Sequence, residues 1–249
     1  MTWPEAIAIT VAGLGAGAVN TVVGSGTLIT FPTLLAFGYP PVTANVSNGI
    51  GLVPGSVSGA WAYRRELRGQ RDRALRLGAA TLTGAILGAI ALLTAPPSAF
   101  RAIVPVFIAL ALVLVVLQPR IARALAARPH RRREGPALLA GVGLTGVYGG
   151  YFGAAQGILL LALFGVGLDQ SLQRSNALKN VLAGLANLVS GIVFVLFAHV
   201  AWDAAALIAL GSVVGAQLGG RYGRRLPPVA LRALIVVVGV FAILRLTVL

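Results

Sequence analysis

Gly84-Ala85-Ile86-Leu87-Gly88, with Pro96-Pro97 behind it, returns 131 residues later as Gly215-Ala216-Gln217-Leu218-Gly219 with Pro227-Pro228 behind it. The same shift lays Asn45 on Asn176, Ala99 on Ala230 and Arg101-Ala102 on Arg232-Ala233. Upstream, a slightly smaller shift aligns Ala12-Gly13 with Ala140-Gly141, Gly15 with Gly143, Gly24 with Gly153 and Gly38 with Gly167. A small insertion between Gly38 and Asn45 reconciles the two. The chain is therefore read as two copies of one unit, 1–118 and 136–249, joined by a basic segment, 119–135.

The surrounding composition says where such a unit lives. Of 249 residues, 57% are hydrophobic and only 10% charged, and mean hydropathy is +0.89. A soluble domain of this length needs more charge to cover its surface. A bilayer core about 30 Å thick needs roughly 20 apolar residues per helical crossing. Ten apolar segments are expected, near 5–22, 27–38, 43–62, 75–95, 100–118, 136–152, 156–168, 174–198, 203–220 and 228–248. The 32 Gly suit helices that approach closely in a membrane. The first apolar segment has no basic flank ahead of it and is not read as a cleaved signal peptide.

Net charge is +14, concentrated in short loops: Arg64, Arg65, Arg68, Arg71, Arg73 and Arg76; Arg120, Arg123, Arg128 and Arg131–Arg133; Arg221, Arg224 and Arg225. Clusters beside apolar spans follow the positive-inside rule and speak against nucleic-acid binding. Placed on the repeat, they change sides. The Arg-rich loop 63–76 has a counterpart, 194–207, that carries only His199 and Asp203. The basic stretch 221–225 has a counterpart without arginine. The second unit is thus expected to enter the membrane from the opposite face, with 63–76, 119–134 and 221–225 in the cytoplasm and both termini outside. The fold expected is an all-α polytopic membrane protein of two inverted-topology repeats, about five helical segments each. Repeats of that kind are typical of secondary transporters, with substrate near the midplane at the repeat interface.

Two segments are too short to cross. Each follows a glycine break, Gly24-Ser25-Gly26 in the first unit and Gly149-Gly150 with Gly153 in the second. Twelve residues of helix span only about 18 Å. Short broken or re-entrant helices are expected near 24–38 and 153–168. A helix starting inside the membrane exposes unpaired N–H groups and a partial positive charge. Two such ends would form an anion site, with Gly24 and Gly26 admitting a ligand to the backbone and Ser25, Thr27 and Gln156 adding donors.

A second polar group opens the next helix of each unit: Asn45, Ser47 and Asn48, then Ser175, Asn176, Lys179 and Asn180. Lys179 is the only lysine in the chain and falls where the first unit has Asn48. An ionisable group at membrane depth is costly and points to function, whereas a lysine near a helix end can also snorkel to the interface. A cation ringed by amides and hydroxyls suits an oxyanion. Gln217, Asn187, Ser190, Asn20 and Tyr148 are weaker candidates, because isolated polar residues in bundles more often bond across helices. With no Cys and two His, no nucleophile–base pair, metal-ligand spacing or phosphate loop can be assembled. The chain is not read as an enzyme, and no cofactor or metal is expected.

The pattern A-G-x-G…G-S-G-T-L-I-T-F-P-T-L-L-x-x-G at 12–38, with the Pro-Pro and Ala44-Asn45 that follow and a degenerate second copy at 140–180, resembles the sulfite exporter TauE/SafE family of bacterial membrane permeases. The resemblance covers essentially the whole chain. It implies movement of sulfur-containing anions such as sulfite, thiosulfate or sulfonates across the bacterial inner membrane by alternating access. It also implies a binding region in the glycine-rich motifs and the polar helix starts. The second copy departs from the family pattern, with Ala154-Ala155-Gln156 where more glycine is usual and Leu161 in place of a proline. Besides this anion exporter, two alternatives are a carrier of small carboxylates and a non-transporting scaffold subunit that recruits a partner through 119–134. The partners expected are a small anion and the lipid bilayer, with a homodimer as an option. The pairs Gly84/Gly88 and Gly215/Gly219 are expected to bring helices together, within one chain or between two.

Overall fold

The structure, a computed structural model, describes residues 1–126, 135–222, 233, 235–240 and 243. Most of the basic linker and of the tenth apolar segment, with Arg128, His130, Arg224, Arg225, Pro227, Pro228 and Arg232, lies outside the described residues. Among those described the chain is helical, with no strand. Among the described residues up to 222, nine helices follow one another: α1 Trp3–Val22, α2 Thr27–Ala36, α3 Pro41–Ala62, α4 Arg71–Thr94, α5 Pro97–Ala126, α6 Pro136–Tyr151, α7 Gln156–Gly167, α8 Leu172–Phe197 and α9 Trp202–Tyr222. Each corresponds to an expected segment. The helix starts are set by local chemistry. Proline opens α3, α5 and α6, where its fixed φ is helical and its missing N–H costs nothing. Glu5 accepts from the Thr2 N–H at 2.8 Å ahead of α1. The boundaries differ from expectation by a few residues, most at the end of α5, which runs through Pro119 to Ala126 and makes residues 119–126 of the expected linker helical.

Among the described residues five helices are long and apolar enough to cross a bilayer: Trp3–Val22, Arg71–Thr94, Pro97–Ile121, Leu172–Phe197 and Trp202–Tyr222. The outward faces are apolar. Ile7, Val57, Val106, Leu144, Leu196 and Leu210 are all exposed, a surface that water would not tolerate and lipid would. The interior holds the polar residues: Ser25, Thr30, Asn48, Gln156, Asn176 and Lys179 are buried.

Glycine sets the closest helix contacts. α1 lies against α9, and α4 against α6. A Cβ added at Gly84 or Gly88 would strike the carbonyl oxygens of Gly143 and Val147. One added at Gly215 or Gly219 would strike those of Leu14 and Ala18. The two glycine pairs therefore pack helices within the chain, and each pairs a helix from one half with a helix from the other. Both pairs run parallel, since residues 84 and 88 face 143 and 147 while 215 and 219 face 14 and 18. In contrast, α3 and α8 cross antiparallel, with Gly59 beside Asn180, Ser56 beside Gly184 and Ile50 beside Gly191.

The two ends of the bundle differ in charge. At one end the loop after α3 and the first turn of α4 are tied to the first turn of α8 and the loop before it: Gln70 donates to the Arg174 carbonyl at 3.2 Å, Arg174 to the Arg68 carbonyl at 3.2 Å, and Arg73 to Gln170 at 2.7 Å. Gly220, beside Arg221, meets Ala62 at the same end. At the other end burial, and then the negative charges of Asp203 and Glu5, push the Tyr39 phenol above its ordinary range.

Candidate functional site at the junction of the two helix breaks

Both breaks turn on a glycine in the left-handed region, Gly24 at φ +88° and Gly153 at +75°. Ala155 adopts φ +60° as well, a conformation that costs a non-glycine residue about 1 kcal/mol. The breaks touch each other. The Gly157 N–H donates to the Gly24 carbonyl at 3.1 Å, and a Cβ on either residue would stand 2.5 Å from the other's Cα. Only glycine at both positions permits this backbone-to-backbone contact.

At the first break the start of α2 keeps its donors open. The N–H groups of Ser25, Gly26 and Thr27 meet no backbone acceptor among the described residues. The Ser25 hydroxyl is 1% exposed and has no hydrogen-bond partner. Buried polar groups are nearly always paired, so this orphan is a donor left for an acceptor oxygen. At the second break one donor is already spent, on Gly24. Tyr148 donates to the Ala154 carbonyl at 2.6 Å and steadies the turn. Phe31 and Phe152, one beside each break, meet edge to face at 5.2 Å.

At the polar helix starts Asn45, Lys179 and Asn180 grip the opposite half, and Asn48 its own. Asn45 on α3 donates to the Tyr151 carbonyl at the end of α6, at 2.9 Å. Asn48 donates to the Thr27 hydroxyl at 3.2 Å and accepts from Thr30. On α8 the Lys179 ammonium donates to the Asn20 carbonyl at 2.9 Å and to the Thr21 carbonyl at 3.0 Å. Asn180 donates to the same Thr21 carbonyl at 3.4 Å. These carbonyls end α1, where the helix dipole is negative and welcomes a cation. The Lys179 stem passes Gly157, whose added Cβ would lie 2.9 Å from Cδ. One turn before it, the Asn176 side-chain oxygen is buried without a partner. Among the described residues no Asp or Glu is buried, so Lys179 has no carboxylate beside it.

The structure thus brings Gly24, Ser25, Gly26, Thr27, Asn48, Lys179 and Asn180 to one junction, with Asn45 and Asn176 on the same helix starts. Three expected residues have their side chains engaged elsewhere. Ser47 accepts from the Ala201 N–H at 2.9 Å, ahead of α9. Ser175 accepts from Gln170 at 3.2 Å, in the loop before α8. Gln156 turns into α6, reaching the Thr145 carbonyl at 3.4 Å and lying against Gly149. Sequence reasoning missed Thr30, Gly157 and the carbonyls of Asn20 and Thr21. The first two were legible in principle from helix spacing and the repeat; main-chain acceptors carry no sequence signal.

The family model described as sulfite exporter TauE/SafE matches residues 9–246. A probable membrane transporter protein, YfcA, of Escherichia coli (strain K12) is 27% identical over 83% of this chain and 76% of its own length. A second, ORF9 of a Sinorhizobium species, is 28% identical over 95% of this chain and 90% of its own. A third, from Haemophilus influenzae, is 26% identical over 84% and 81%. No solved structure matches.

Proposed function

The chain belongs to the sulfite exporter TauE/SafE family, and from that premise we propose that it exports a small sulfur-containing anion, sulfite, thiosulfate or a sulfonate, across the bacterial cytoplasmic membrane. It is a multi-pass membrane permease, as its relatives and its apolar helices have it. The observation that carries the anion reading is the start of α2. Three open N–H groups and the orphaned Ser25 hydroxyl lie at the positive end of a helix, beside a junction whose buried cation has no carboxylate partner among the described residues. A small oxyanion supplies what is missing on both counts, acceptor oxygens and negative charge.

The mechanism proposed is alternating access about two inverted units. The antiparallel crossing of α3 and α8 supports it, because these helices correspond in the repeat. The collection of arginine at one end supports a cytoplasmic placement of that end, with both termini outside. In the cycle the N–H groups of Ser25 to Thr27 hold the anion. Gly24 and Gly157 close the junction from both sides, and relative movement of the units exposes it to one face at a time. Flux of radiolabelled sulfite, thiosulfate and taurine-like sulfonates into proteoliposomes tests this directly. Saturable uptake of at least one, competed by the others more strongly than by acetate or succinate, is expected. A preference for the carboxylates would move the protein to the other substrate class.

A further inference from the structure

Two carbonyls at the broken end of a helix are the usual receptor for a coupling cation in carriers built from broken helices. Here that receptor exists and is filled by a side chain. Asn20 and Thr21 direct their carbonyls, 2.9 and 3.0 Å away, at the Lys179 ammonium. The Thr21 hydroxyl belongs to the same buried residue, and the Asn180 amide lies on the same carbonyl. The ammonium is fully enclosed. Its stem reaches it from α8, along Gly157, so the charge is delivered from one half onto the helix end of the other.

We infer that Lys179 is a tethered substitute for a bound monovalent cation, so that anion movement by this chain needs no sodium ion. The inference rests on the transport reading above and adds to it the coupling chemistry of the same junction. The argument has three parts. The acceptors are carbonyls, which bind an alkali cation and an ammonium alike. The site lies at the negative pole of α1, where a charge of that sign is favoured. The other half carries the neutral Asn48 at the matching repeat position and spends it on Thr27 and Thr30, so the receptor is single and belongs to the Lys179 side alone. A carrier whose cation is covalently attached cannot release it with the substrate. The charge stays in the junction through the whole cycle, and the anion alone crosses.

The test compares the wild type with Lys179→Ala and Lys179→Gln, in sodium chloride and in choline chloride at equal ionic strength. Wild-type sulfite flux is expected to be the same in both media. Lys179→Ala vacates the carbonyls. Its flux should be lost in choline and return at least in part with sodium, and in detergent its Tm should rise in sodium over choline by about 3 °C, a shift that ligand binding produces in a chain of this size. Lys179→Gln keeps donors on the carbonyls without the charge, and its Tm should not respond to sodium. A sodium requirement in the wild type, or a Lys179→Ala Tm blind to sodium, overturns the inference. The wild-type comparison decides even if Lys179→Ala does not fold. If no anion moves in the wild type while the variant's Tm still responds to sodium, the transport reading fails and the cation receptor stands.

Discussion

The two helix breaks, whose glycines Gly24 and Gly153 the sequence lays on each other, differ in opposite ways. The first, Gly24-Ser25-Gly26, keeps glycine and a hydroxyl, and leaves its N–H groups and its serine open. The second, Gly153-Ala154-Ala155, lacks a hydroxyl and holds a strained alanine at φ +60°. Its donor at Gly157 is spent on the first break, and Tyr148 braces its turn. The following helices diverge to match. α3 presents neutral Asn45 and Asn48, whereas α8 presents Lys179. One break is kept free to receive, and the other half supplies support and charge.

Removing the charge difference should have the largest effect. Lys179→Asn makes the two helix starts alike, and sulfite flux in sodium-free medium is expected to fall about 100-fold, the equivalent of losing charge-assisted hydrogen bonds worth up to about 3 kcal/mol; flux within a factor of three of wild type would dissolve the asymmetry. Next comes the contact between the breaks. Gly24→Ala combines a left-handed φ with a collision against Gly157 and is expected to cost about 3 kcal/mol. Gly153→Ala meets only the Gly149 carbonyl, 3.0 Å from the added Cβ, and should cost about half that. Thermal unfolding in detergent ranks the two, and the reverse order would show that the second break is the tighter one.

A smaller effect separates receiving from supporting. Ser25→Ala removes a hydroxyl that bonds nothing, so Tm should barely move while the KM for the anion rises about tenfold. Equal KM values in the two proteins would take Ser25 out of the site. Smallest of all, Ala155→Gly relieves the strained turn and should stabilise the protein by up to about 1 kcal/mol. A loss of stability would show that the alanine's own packing outweighs its φ.

Much of this architecture was legible beforehand, for identifiable reasons. Segment positions follow from hydropathy, and the starts at Pro41, Pro97 and Pro136 follow from proline's place in the first helical turn. The glycine pairs marked the tight seams, though not which helices meet there, since that pairing exchanges partners between halves. The breaks were visible as Gly24 and Gly153. Lys179 stood out as the lone lysine, yet its partners did not, because a carbonyl of Asn20 or Thr21 is chemically the same as any other. Ser47, Ser175 and Gln156 read as site residues by proximity in sequence. A helix turns about 100° per residue, so neighbours of a site residue face other helices.

The glycine seams also bear on how the chain is made. α4 and its partner α6 are separated by one helix and the linker, so that seam can close early in synthesis. Among the described helices α1 is made earliest, yet its partner α9 is completed only about 200 residues later, a delay of roughly 10–40 s at ordinary elongation rates. Throughout that interval Gly13 and Gly17 lie bare on α1 with no carbonyl ladder to meet. Among the described helices, α1 thus waits longest for its main partner. The chain has no cysteine, so engineered pairs across each seam, trapped on nascent chains of increasing length, would display that order directly.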